Sequence, residues 1–200
     1  MWRHLNVVGF SRVFLGMALA LTVLTGTAVA DEYKIDPVHS SAVFKINHLG
    51  ASNTYGMMPN VTGTLTFDEN DASKNAITIS VDATSVSTFN AGRDKHLSGP
   101  DFFNSKQFPA ITFKSTAWKK TGDGTYDITG EFTMLGVSKE ITVSAEHIGY
   151  GKNRSGDVLT GFDSTFVIDR TDYGMAYGVA DEGGIGKEVT ITIAIESAKQ

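Results

Sequence analysis

The feature that most constrains the fold of this chain is a period-two alternation of apolar and polar residues. In the stretch 44–47, for example, Phe and Ile alternate with Lys and Asn. Because successive side chains of a β-strand point to opposite faces, each such run predicts a half-buried strand. The alternation predicts eight strands, at residues 42–48, 61–67, 77–83, 111–117, 126–134, 141–147, 162–168 and 189–195.

Turn signals separate these predicted strands. Gly122-Asp123-Gly124 and Leu135-Gly136-Val137-Ser138, for instance, stand between neighbouring runs at a spacing typical of hairpins. Successive strands are therefore predicted to pair antiparallel in an all-β fold. An antiparallel set of about eight strands can hide its apolar face in a closed barrel or in a sandwich, and the alternation alone is compatible with both.

Small residues on the predicted inward faces favour a barrel with a hollow interior. Eight strands enclose a space that side chains just fill, or that holds one ligand when they do not. In the alternative interpretation, small residues mark strand crossings or tight curvature. The small inward residues are Ala42, Gly63, Ser115, Ala117, Gly130, Ala145 and Ser164.

The N-terminus has the pattern of a secretory signal peptide. Arg3 and Arg12 precede an apolar run over residues 13–24, and the small residues Ala28 and Ala30 stand at the −3 and −1 positions of a cleavage site. The alternative, a membrane anchor, needs roughly 20 apolar residues, and this run is interrupted early by residues 25–27. We expect residues 1–30 to be removed before Asp31, leaving residues 31–200 as one domain in the periplasm or secreted.

Composition excludes several classes of function for this mature chain. Without two of its 17 basic residues it keeps 15 against 22 acidic ones, a formal charge of −7, which argues against nucleic acid as a partner. The chain has no cysteine, so disulfides, thiolate nucleophiles and thiolate metal ligands are excluded.

One segment interrupts the strands. Residues 90–104 carry charged residues first and aromatic residues afterwards, which indicates a short helix or two turns, and Pro100 suits the start of a second helix. We predict a short helical segment near residues 92–104 that covers one mouth of the barrel. A helix that simply closes the hydrophobic core is the alternative.

The polar candidates are four histidines and two arginines. His39, His48, His96 and His147 show no His-x-x-x-His spacing, so we predict no metal site. His48 and His147 share parity with inward residues near strand ends, and either contact a ligand headgroup or serve as hydrogen-bonded structural histidines. The same alternative holds for Arg93, which could instead pair with Asp94, and for Arg170, whose guanidinium suits a phosphate or a carbonyl group.

Nothing in the sequence indicates catalysis. The chain lacks a Gly-x-Ser-x-Gly elbow, a phosphate-cradling glycine loop and a dinucleotide-binding fingerprint. We therefore predict no catalytic residues. An enzyme or stress-response factor that acts on isoprenoid lipids through the mouth histidines, and an interaction module that holds no ligand, remain alternatives.

A series of motifs carries a resemblance to a known family. They are Tyr33-Lys34-Ile35-Asp36, His39-Ser40, the stretch 44–50 (FKINHLG), 63–68 (GTLTFD), 84–88 (TSVST), 93–97 (RDKHL), 101–103 (DFF), 108–113 (FPAITF), 130–139 (GEFTMLGVSK) and 170–174 (RTDYG). In this order they resemble the YceI-like family of exported lipid-binding proteins over essentially the whole mature chain.

The resemblance implies a lipocalin-like antiparallel barrel of eight strands whose tunnel holds a polyisoprenoid, such as an isoprenoid quinone or a prenyl phosphate, or another long amphiphile. No cofactor is expected besides this lipid, and a homodimer is possible. Met57 and Met58 depart from the aromatic residue usual in the family, so tail specificity could differ.

The predicted site therefore has three parts. The tunnel residues are Phe44, Ile46, Phe67, Ile79, Phe113, Phe132, Met134, Val143, Phe166 and Ile193. The lid or mouth residues are Met57, Met58, Leu97, Phe102, Phe103 and Phe108, and the possible headgroup contacts are His48, Arg93, His147 and Arg170.

Overall fold

A computed structural model describes Met1, residues 30–180 and residues 183–200. The described residues form ten β-strand segments and one α-helix, α1 (Ala91–Leu97). The strands are β1 (Asp31–Ile35), β2 (Ser41–His48), β3 (Ser52–Met58), β4 (Val61–Phe67), β5 (Ala76–Asp82), β6 (Ala110–Gly122), β7 (Thr125–Met134), β8 (Val137–Lys152), β9 (Val158–Asp169) and β10 (Ile185–Lys199). The predicted signal peptide falls, apart from its first and last residues, outside the described residues.

The ten segments form a closed antiparallel barrel of eight strands, which confirms the predicted fold class. The sheet order is β1-β4-β5-β6-β7-β8-β9-β10, and pairing of β1 with the C-terminal end of β10 closes it. The N-terminal part of β10 pairs instead with β2, which pairs with β3. Thus β1 and β2 form one interrupted strand along β10, and β3 and β4 form the next one.

The tight turns of the barrel follow from local sequence. At the β7–β8 hairpin, Met134 pairs with Val137, so that Leu135 and Gly136 form a two-residue loop with φ of 54° and 76°. Two positive φ values in succession are the geometry that matches the twist of a hairpin, and glycine adopts it without strain.

The barrel is covered where β3 and β6 do not pair. Residues 83–109 cross this gap, and α1 lies within them. Asn90 caps α1 by accepting a hydrogen bond from the Arg93 backbone N–H (3.0 Å). The helix ends at Leu97, so the helical segment predicted for residues 92–104 is shorter in the structure and continues as turns.

Two details correct the predicted inward faces. The register of β6 against β7 shifts between Ser115 and Ala117, so that Ala117 is exposed and Trp118 is buried instead. Gly63 and Gly130 do not widen the interior, because a Cβ at either position would lie within 3 Å of a neighbouring strand's backbone. Those two glycines permit close strand approach, as the alternative interpretation holds.

No helix among the described residues combines the length and the apolar character needed to cross a bilayer.

Candidate ligand-binding cavity

The interior of the barrel contains a cavity of about 600 Å³. Its wall is formed mainly by the inward side chains of β2 and β5–β10, and it continues to α1 and to the loop after β9. Several large apolar side chains on this wall, such as Phe44, Phe113 and Ile193, are only half-buried although they point into the barrel. They keep accessible surface because they face a space that the opposite wall does not fill.

Nine of the ten predicted tunnel residues line this cavity. They are Phe44, Ile46, Ile79, Phe113, Phe132, Met134, Val143, Phe166 and Ile193. The tenth, Phe67, lies instead in an aromatic cluster that fills the opposite end of the barrel. Its ring centroid is 5.0 Å from that of Phe162, 5.8 Å from that of Tyr126 and 6.3 Å from that of Trp118. This closed-end cluster makes the cavity a chamber closed at one end.

Among the small inward residues, Ala42, Ala145 and Ser164 line the cavity. The sequence reasoning missed Trp118, because the bulge in β6 reverses its parity, and Met175 and Tyr177, because they lie in a loop without alternation. Ile77, Val81, Ile111, Ile128, Ile168, Val189, Ile191 and Ile195 also line the wall. Their alternation with polar neighbours is the signal that could have added them to the predicted set.

Four of the six predicted lid or mouth residues, Met58, Leu97, Phe102 and Phe103, also line the cavity. The other two do not. Met57 exchanges backbone hydrogen bonds with Ser87 (2.8 and 2.9 Å) and lies on the opposite face of β3 from Met58. The Phe108 ring lies over Gly136 of the β7–β8 turn.

A cluster of three rings bridges α1 and the loop after β9. The ring centroids of His96, Phe102 and Tyr177 lie 5.0–5.2 Å from one another, and all three residues line the cavity. His96 Nε2 is 2.9 Å from Asp101 Oδ2. His96 and Tyr177 are exposed. At this mouth cluster, the side chains of the three residues, and not β-strands, therefore separate the cavity from solvent.

The rest of the mouth is polar. His48, at the end of β2, is exposed and lines the cavity together with Ser52 and Thr54. Arg93 also lines it, and two of its N–H groups donate to Thr88, from Nε to Oγ1 (2.7 Å) and from Nη2 to the carbonyl (2.8 Å). A direct ion pair between Arg93 and Asp94 is not formed. Asp94 accepts a hydrogen bond from the Thr88 backbone N–H (2.7 Å), so both charged residues hold Thr88.

Arg170 is 1% exposed and borders the cavity at the same end. Its guanidinium donates to four backbone carbonyls, those of Gly186 (2.8 Å), Met175 (2.9 Å), Tyr177 (2.9 Å) and Ile185 (3.2 Å). Burial lowers the pKa of this guanidinium, and nearby Asp169 partly opposes the shift. Four of its five N–H groups thus hold Met175 and Tyr177, in the segment after β9, together with the first two residues of β10, which favours the structural alternative for Arg170.

His147 lies at the closed end rather than at the mouth, and it does not line the cavity. Its Nε2 is 2.9 Å from Thr160 Oγ1, and its ring is 4.9 Å from the rings of Phe67 and Phe162. Burial lowers the pKa of His147, although nearby Glu69 partly opposes the shift. Its geometry is that of a hydrogen-bonded structural histidine.

Fold and cavity together define a class, that of hollow antiparallel β-barrels with a closed end, an apolar chamber and a mouth of polar and aromatic side chains. Comparison with known proteins narrows the class. The model of the YceI-like domain family matches residues 33–197, and the chain therefore belongs to the YceI-like family.

A relative agrees with this assignment, and solved structures share the fold. The chain is 40% identical to Protein YceI of Salmonella arizonae over 189 residues, which cover 93% of this chain and 97% of that protein. The crystal structure of Burkholderia cenocepacia BcnA superposes with a TM-score of 0.72 at 22% identity, covering 81% of this chain and 98% of BcnA. A polyisoprenoid-binding domain from Saccharophagus degradans superposes with a TM-score of 0.64 at 13% identity, covering 86% of this chain and all of that domain.

Proposed function

We propose that this protein is an exported carrier that holds a long isoprenoid, or a similar amphiphilic lipid, in the barrel cavity. The observation that carries the proposal is the set of large apolar side chains that point into the barrel and yet remain half-buried around a space of about 600 Å³. Leaving such surface without contact is unfavourable, and an apolar ligand supplies the missing contacts.

The shape of the chamber favours an extended hydrocarbon chain. Each methylene group moved from water into such a wall contributes about 0.8 kcal/mol, so affinity should rise with chain length until the chamber is full. The nine predicted tunnel residues that line the cavity, with Trp118, would contact the tail.

The polar mouth suggests the orientation of the ligand. The closed-end cluster around Phe67 consists mainly of aromatic rings, whereas His48, Arg93 and His96 lie at the mouth. A polar headgroup keeps more of its hydrogen bonds at the mouth than at the closed end. We therefore propose that the tail enters first and that the headgroup stays near these three residues.

We further propose that the protein binds its ligand without transforming it. Several polar groups around the cavity are already engaged in the fold: Arg170 with four carbonyls, Arg93 with Thr88, and His96 with Asp101. A guanidinium stays protonated in proteins, so neither of the two arginines transfers protons.

Three further observations support the proposal. The family assignment agrees with the motifs quoted above. The solved domain from Saccharophagus degradans, which shares the fold, is described as binding polyisoprenoids. The basic start, apolar run and small residues of the N-terminal 30 residues support export to the periplasm, where such a carrier would work.

The test is extraction of the protein purified from the periplasmic fraction of a Gram-negative host that expresses the full chain. Mass spectrometry of the organic extract is expected to find a prenyl lipid or another long-chain amphiphile in near-stoichiometric amount. Its exchange for added geranylgeraniol is followed through the fluorescence of Trp118, which lines the cavity and is the one tryptophan left once residues 1–30 have been removed. A protein that yields no lipid and does not bind geranylgeraniol would overturn the proposal.

A further inference from the structure

A second cluster of polar side chains lies away from the cavity, where β1, β2 and β10 meet. Asp36 and His39 belong to the turn between β1 and β2, and Glu196 belongs to β10. His39 Nδ1 is 2.7 Å from Asp36 Oδ2 and 3.6 Å from Glu196 Oε1, and the three donor atoms lie within 4.8 Å of one another. None of these residues lines the cavity.

Backbone hydrogen bonds hold the three side chains in place. The Asp36 N–H donates to the Glu196 carbonyl (2.8 Å), and the buried Ser40 hydroxyl accepts from the Glu196 N–H (3.0 Å). The Val38 N–H donates to Asp36 Oδ1 (2.9 Å), which leaves Oδ2 directed at His39. The cluster thus joins the turn between β1 and β2 to β10, the strand with which both of them pair.

The donor set matches the preference of first-row transition metals. Zn²⁺ binds imidazole nitrogen and carboxylate oxygen at about 2.0–2.2 Å, which places donors of a tetrahedral site roughly 3.4 Å apart. The observed separations of 2.7 and 3.6 Å lie on either side of that value, so the His39–Asp36 pair must open by less than 1 Å when a metal ion replaces the proton between them. One imidazole with two carboxylates favours such an ion over Mg²⁺ or Ca²⁺, which prefer oxygen ligands alone.

We propose that Asp36, His39 and Glu196 form a binding site for a divalent first-row transition-metal ion. The side chains are 31%, 61% and 37% exposed, so the remaining coordination positions face solvent and take water or a small anion. The site lies outside the lipid cavity and does not depend on the proposed carrier function. The spacing of the histidines in the sequence does not indicate this metal site, because Glu196 comes close to Asp36 and His39 only through the pairing of β10 with β1.

The experiment is a calorimetric titration of the metal-free full chain with Zn²⁺. We expect one ion per chain at this site, and His39→Gln and Glu196→Gln should each weaken its binding at least about tenfold, since even indirect ligand contacts change affinity by about 10–100-fold. The matched control is His96→Gln. His96 is also exposed and also lies 2.9 Å from a carboxylate, that of Asp101, but among the described residues no third ligand joins this pair.

The controls separate this site from adventitious surface binding. Equal loss of affinity in His96→Gln, or unchanged affinity in Glu196→Gln, would overturn the proposal. If a variant unfolds, NMR spectra of the unmodified protein provide the test instead. Substoichiometric Zn²⁺ should perturb the imidazole resonances of His39 before those of His96, and the opposite order would overturn the proposal. Zn²⁺ should also raise the melting temperature of the unmodified protein and not that of Glu196→Gln.

Discussion

A substitution that takes up part of the cavity tests whether the hollow determines ligand binding. Ala42 lines the cavity from β2, where it pairs with Ile193 on one side and with Met58 on the other. Ala42→Leu adds about three methyl or methylene groups to a wall that faces open space, so the folded state should tolerate it. The added groups occupy volume that the ligand tail would otherwise fill.

The expected loss of affinity follows from the displaced volume. Displacing about three methylene groups of the tail at about 0.8 kcal/mol each costs about 2.4 kcal/mol, or roughly 50-fold in the dissociation constant of a ligand that fills the chamber. A shorter ligand that leaves this part of the chamber empty should lose much less. The preference for geranylgeraniol over the shorter farnesol should therefore shrink in Ala42→Leu.

The assay is titration of the exported protein with both alcohols, followed through the fluorescence of Trp118. The matched control is Ala76→Leu, the same substitution at an exposed position of β5, which should leave both dissociation constants unchanged. Denaturant unfolding of each variant checks that the fold is retained. The reasoning is refuted if Ala42→Leu stays folded and binds geranylgeraniol as tightly as the unmodified protein does.

Three further predictions concern stability. Replacement of Arg170 by Met leaves the carbonyls of Met175, Tyr177, Ile185 and Gly186 without their donor and should lower the free energy of unfolding by about 3 kcal/mol or more in urea denaturation; a change below about 1 kcal/mol would mean that other contacts hold these residues. Phe89 is 88% exposed and has a φ of 60°, a conformation that Asn tolerates better, so Phe89→Asn should stabilise the protein by about 0.5–1 kcal/mol, and destabilisation would contradict this strain argument. Because burial lowers the pKa of His147, the unfolded chain takes up the proton first as the pH falls below about 6.5, and stability is lost between that pH and the lower pKa of the folded state. The melting temperature of His147→Gln should therefore fall less between neutral pH and about pH 5 than that of the unmodified protein, and equal falls would show that His147 does not contribute.

Much of the barrel could be predicted because strand patterns are local. The run around Phe44 and Ile46 needs only its own residues to show which side is apolar, and the same holds for the other seven predicted strands. β1 and β3 were not among the predicted strands. β1 has five residues, and β3 mixes polar residues with a glycine, so neither gives a clear period-two signal.

The residues of the candidate site could be predicted only where the alternation of inward and outward side chains continues without a bulge. Phe113 follows the alternation and lines the cavity, whereas Trp118 lines it because a bulge shifts the parity of β6. Parity also cannot tell which end of the barrel a residue occupies. His48 and His147 were therefore treated alike, although one lies at the mouth and the other in the closed-end cluster.

The sequence by itself determined eight of the ten strand segments, the antiparallel pairing of successive strands and the apolar face of most of them, because these properties depend on neighbours within a few residues. Only the tertiary structure decided that the inner side chains leave a chamber of about 600 Å³, because this depends on the combined volume of side chains that meet across the barrel. For the same reason only the fold could join Glu196 to Asp36 and His39, since their proximity is a consequence of strand pairing between distant parts of the chain.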